Sequence, residues 1–67
     1  MSQKDEFFIY LLEHYASHAG RAAGNVLAEW DTLGLTSLIY DMYERYHAEA
    51  LENAFDDIDA LVTEARG

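Results

Sequence analysis

The sequence predicts an all-α protein, a compact bundle of three to four short helices, on three observations. The 67 residues include no proline, the residue that most often breaks a helix. Apolar residues recur at the i, i+3, i+4, i+7 spacing that gives a helix one buried stripe. No segment alternates apolar and polar residues strictly enough to make a half-buried strand. At this length the chain is one domain, 1–67, with no internal repeat, low-complexity tract or dividing linker.

The first helix is expected over about 3–19. Ser2 is placed to cap it, and Asp5 and Glu6 sit in the first turn, where the positive end of the helix dipole favours them. Phe8, Leu11, Leu12, Tyr15 and Ala19 form its inward stripe, with Phe7, His14 and His18 beside it. Gly20 is the natural stop, because glycine accepts the left-handed conformation that ends many helices.

The second helix is expected over about 22–33, burying Val26, Leu27, Trp30 and Leu33. Its start is weakly marked: Ala22 is a poor cap, and Gly24 costs about 1 kcal/mol relative to alanine inside a helix, so Asn25 is an alternative cap. Gly34 ends it, and Thr36 or Ser37 caps a third helix running over about 36–48.

That third helix carries the most informative stretch, Leu38 to His47. Leu38, Ile39, Met42 and Tyr46 fall on an inward stripe, and Tyr40, Tyr43 and His47 on a neighbouring one. From Glu49 to Phe55 the periodicity weakens, which predicts an irregular link or an extra turn. Asp56 or Asp57 then caps a final helix over about 56–66, with Phe55, Ile58, Leu61, Val62 and Ala65 on its apolar side.

Composition narrows the function classes. A chain this short buries only about 60% of its unfolded surface, and without cysteine it has neither disulfides nor thiolate metal sites to supplement a small core. Self-association or a partner protein is the expected supplement, and a homo-oligomer follows from that. Thirteen acidic residues against four basic ones give a formal charge of −9. Such a field repels phosphate backbones and anionic headgroups, so nucleic acid is a disfavoured partner and a basic protein a favoured one. The opening six residues are polar and mixed in charge, unlike a signal peptide. The longest apolar run, Phe7 to Leu12, is too short to cross a bilayer. A soluble cytoplasmic protein is expected.

Several constellations bear on chemistry. His14 and His18, four apart, point the same way on a helix, the geometry for sharing a metal, but spacing fixes no third ligand and no metal is assigned. Tyr43 and His47 share that spacing, which can bring a hydroxyl to an imidazole. Catalysis also needs a pocket, and a chain of this length has little volume for one of about 300 Å³. No catalytic residue and no cofactor is assigned. Gly20, Arg21 and Gly24 lack the strand and the Gly-Lys-Ser ending of a phosphate loop. Asp56, Asp57 and Asp59 lack the alternation and central glycine of a calcium loop. The second and third helices, joined at Gly34-Leu35-Thr36, have the short glycine turn of a helix-turn-helix, but the second of the pair offers Asp41 and Glu44 outward with only Arg45 positive.

Taken together, Glu6-Phe7-Phe8 through Leu12-Glu13 and Tyr15-Ala16, then Leu38, Tyr40-Asp41, Tyr43 and His47, then Asp57-Ile58-Asp59, resemble a family of short bacterial proteins classed as a domain of unknown function. The resemblance covers about residues 5 to 62 through diffuse helix patterns. It departs at Ala22, where the family more often has a polar cap. It implies a small helical protein, and some members have neighbouring genes for a domain similar to ADP-ribosyltransferases, in an arrangement that looks like toxin and antitoxin. The family brings no catalytic residues with it. The expected function is a non-catalytic protein–protein interaction module, with an aromatic binding face of Tyr40, Tyr43 and His47 rimmed by Asp41 and Glu44. The alternative is a DNA-binding regulator using the second and third helices.

Overall fold

Five helices account for the architecture of the computed structural model, which describes residues 1–67. They are α1 (Gln3–Ala19), α2 (Ala23–Thr32), α3 (Thr36–Asp41), α4 (Tyr43–Tyr46) and α5 (Leu51–Arg66). There is no strand, and no helix is long and apolar enough to cross a membrane.

Residue chemistry explains the first two boundaries. The Asp5 backbone N–H donates to the Ser2 hydroxyl oxygen at 3.1 Å, satisfying one of the free N–H groups that every helix start leaves. At the other end Gly20 adopts φ +69°. That turn lets the Arg21 N–H reach back to the Ala16 carbonyl at 2.9 Å. Gly34, at φ +72°, ends α2 the same way, with the Leu35 N–H donating to the Trp30 carbonyl at 2.8 Å. Ala22 precedes α2 in an extended conformation without a side-chain cap, and Asn25 lies inside the helix.

The core draws on every element. Leu11, Leu12, Tyr15 and Ala16 of α1 meet Val26 and Trp30 of α2, Ile39 of α3, Tyr46 of α4, and Ala54, Phe55, Ile58 and Val62 of α5. Trp30 is fully enclosed, with Tyr15 at 5.7 Å and Phe8 at 6.0 Å between ring centroids.

Several expectations need correction, the first being the number of helices, five where three to four are expected. The third helix is broken at Met42, which caps both α3 and α4 (φ −80°, ψ 10°). The first half bonds to α1, Tyr40 donating to Asp5, while the second also reaches α5, Tyr46 donating to Asp57. Second, Leu38 faces outward at 45% exposure, because Leu35, just before the helix, takes the inward place beside Ile39. Third, neither Thr36 nor Ser37 caps α3; Leu35 stands at that position and the Thr36 hydroxyl instead donates to Asp31. Fourth, the last helix starts at Leu51, not near 56, and runs through the segment expected to be irregular. Leu51, Ala54, Phe55 and Ile58 continue one helical stripe, and Ala54 is fully buried. Asp56 and Asp57 are therefore interior positions of α5 rather than caps. Ala19 and Ala65, at the ends of their stripes, are exposed.

Candidate interaction surface

Carboxylates organise the surface as firmly as apolar residues organise the core. Three tyrosines each aim a hydroxyl at an aspartate on another helix: Tyr15 of α1 at Asp59 of α5, Tyr40 of α3 at Asp5 of α1, and Tyr46 of α4 at Asp57 of α5. Burial, reinforced by the bonded carboxylate, pushes the Tyr15 and Tyr46 phenols well above their ordinary range. For the more open pair, the Tyr40 hydroxyl holds the Asp5 carboxyl below its usual value, and that carboxylate raises the Tyr40 phenol in return.

Each of the four basic residues is likewise engaged within the chain. Lys4 pairs with Asp41 at 3.2 Å. Arg21 pairs with Glu29 at 2.7 Å, and Arg66 reaches the other oxygen of the same carboxylate. Arg45 lies 3.8 Å from both Glu49 and Asp57. The hydrogen bonds from Arg66 and then Arg21 lower the Glu29 carboxyl, and Glu29 raises Arg66. By contrast Glu6, Glu13, Glu44, Glu52, Asp56 and Glu64 are exposed and have no side-chain partner in the fold. The unpaired charged side chains of the surface are therefore all acidic.

The five residues expected to form the binding face divide into two groups. Tyr40 and Asp41 lock α3 onto α1: the Tyr40 ring meets Phe8 edge-on at 5.6 Å, and the Lys4 ammonium sits 4.6 Å from its centroid while pairing with Asp41. Tyr43 and His47 lie elsewhere, stacked at 4.3 Å with 6° between ring planes, and His47 Nδ1–H donates to the Tyr43 carbonyl at 2.6 Å. The imidazole thus meets the tyrosine's ring and backbone, and no bond to its hydroxyl is made. Glu44 is exposed beside them.

Around Tyr43 and His47 the fold gathers residues that the sequence reading left outside the face. Phe7 of α1 meets both rings edge-on, at 5.6 and 6.3 Å. Phe7 also lies 6.2 Å from Tyr10, whose ring packs at 4.1 Å against His14. His14 Nδ1–H donates to the Tyr10 carbonyl at 2.8 Å, repeating the Tyr43–His47 arrangement. Two Tyr-x-x-x-His units therefore flank one phenylalanine, and that repeated spacing was the signal available in the sequence. His18, the other member of the first histidine pair, stacks on Phe55 at 4.9 Å, away from His14's partner. No group of three or more His, Asp or Glu side chains is gathered as metal ligands, and the surface has no pocket.

Residues 6–65 match the profile of a family described as a protein of unknown function, DUF3791. No curated protein and no solved structure matches the chain.

Proposed function

From the premise that the chain belongs to DUF3791, a family of unknown function, we propose that it is a small acidic protein–protein interaction module, a non-catalytic regulatory or antitoxin-like partner of another, basic protein. The observation that carries this reading is the engagement of Lys4, Arg21, Arg45 and Arg66 in internal ion pairs, with six carboxylates left free. Complementary charge steers encounter and rejects wrong partners more than it adds affinity. A −9 chain with no cation to spare favours a positively charged protein surface over phosphate or another acidic chain.

The helix-turn-helix alternative draws no comparable support. The outward residues of α3 are Ser37, Leu38 and Asp41, and Arg45, the one cation nearby, is turned toward Glu49 and Asp57.

The test is to recover the tagged protein from its host at moderate salt and weigh the intact assembly by native mass spectrometry. A stoichiometric protein partner with a basic contact surface is the expected result. Recovery of the chain alone, or only as a homo-oligomer, overturns the reading, and a shifted band with duplex DNA at physiological salt replaces it with the DNA-binding one.

A further inference from the structure

The face shared by α1 and α4 combines two features, a run of partly exposed rings and a border of free carboxylates. Phe7, Tyr10, His14, Tyr43 and His47 form one connected run of rings, each within 6.3 Å of the next. Tyr10 is 48% exposed and both histidines face solvent. Free carboxylates border the rings. Glu6 and Glu13 stand one helical turn on either side of Tyr10, on its own stripe of α1, and Glu44 follows Tyr43. None of the three is used inside the fold.

Charge decides what can cover such a face. A second copy would bring the same carboxylates and another −9 against them. Nucleic acid and anionic lipid are repelled for the same reason. A cationic side chain gains twice, from the negative faces of the rings and from the carboxylates beside them. Arginine suits both better than lysine, since its planar guanidinium stacks on an aromatic ring while its edge donates to a carboxylate.

Resting on the interaction-module reading, we infer that this face is the docking site for an arginine-bearing segment of a partner protein, with Tyr10 as the stacking platform and Glu6 and Glu13 as the carboxylates that receive the guanidinium. Phe7, His14 and the Tyr43–His47 stack supply the aromatic surround that excludes water from the contact, the condition under which aromatic anchors dominate interface energy.

The experiment titrates the full ¹⁵N-labelled chain with a synthetic arginine-rich peptide, and separately with a lysine peptide of equal length and charge, at about 150 mM salt so that long-range attraction is screened. The expected result is amide shifts concentrated at 6–14 and 43–47, with the lysine peptide binding several-fold more weakly. Tyr10→Ala and the double variant Glu6→Gln/Glu13→Gln should each weaken the arginine peptide about tenfold, while Tyr10→Phe retains binding. Unchanged circular dichroism shows that the variants remain folded. Equal affinity for the two peptides, shifts equally strong at Glu52 and Asp56 of α5, or no shift at all overturns the inference. A stoichiometric partner captured undiminished by Tyr10→Ala refutes this face while leaving the interaction-module reading intact. Peptide binding here without any partner from the host refutes that reading instead.

Discussion

The Tyr46 hydroxyl donates to the Asp57 carboxylate, joining the four-residue α4 to α5 through a side chain that is itself 1% exposed. A helix of one turn has almost no stability of its own. Its position is set by the tyrosine that anchors it from below.

Replacing Tyr46 with phenylalanine keeps the buried ring and removes only that hydrogen bond. The expected loss is about 1.5–3 kcal/mol in urea unfolding, the range for a bond to a charged acceptor. Tyr46→Ala also empties the space the ring fills and should cost about 3–5 kcal/mol. An unchanged midpoint for Tyr46→Phe would show that the hydroxyl contributes nothing.

Stability should fall on the alkaline side. Tyr15 and Tyr46 have phenols raised above the ordinary value of 10.0, so the folded state holds its protons where the unfolded chain releases them. Their contribution is complete below pH 10 and is lost as pH climbs through the raised values. Thermal melts from pH 8 upward should decline beyond about pH 10, and Tyr15→Phe should flatten that decline. Asp5 and Glu29 act at the other end: lowered in the fold, they stabilise it above the ordinary carboxylate range, and that stabilisation is lost as pH falls through their lowered values.

Two glycines should answer the same substitution with opposite signs. Neither has an atom within 4 Å of where a Cβ would stand, so packing does not decide the outcome. Gly20→Ala forces alanine to φ +69° and should destabilise by about 1 kcal/mol. Gly24→Ala, inside the first turn of α2, should stabilise by about 0.5 kcal/mol by restricting the unfolded chain. Melting temperatures that move the same way would contradict the backbone assignment.

Glu29→Gln should act locally. Its carboxylate holds Arg21, just after α1, and Arg66, the last residue of α5. Exposed pairs of this kind add little to global stability, so the midpoint should hardly move. Amide exchange at Glu64–Arg66 should quicken while that at Ile58 stays slow. A large drop in midpoint instead would mean that the end of α5 is part of the cooperative unit.

The parts of this fold legible in the sequence are those where one residue type has one local job. Ser2 at the start of α1 and the glycines at 20 and 34 act through their own backbone or nearest neighbours, so their roles can be read one turn at a time. The break at Met42 has no such signature. On either side of it Tyr40 and Tyr46 bond to different helices, at sequence separations of 35 and 11 residues. The early start of α5 is hard to read because Ala54 is only weakly apolar, although the fold buries it completely. The candidate face was half visible for the same reason. Tyr43 and His47 stood out as a pair, but only the docking of α4 beside Phe7 links them to Tyr10 and His14, and the same docking assigns Tyr40 to the α1–α3 contact.

Trp30, enclosed between Tyr15 and Phe8, is the only indole in the chain. Its ring stacks with none of the five rings of the α1–α4 face, and its emission in the native state should be that of a dry site. The protein therefore carries its own optical gauge of core integrity, remote from the α1–α4 face, and a ligand that binds while sparing tryptophan emission has docked without loosening the fold.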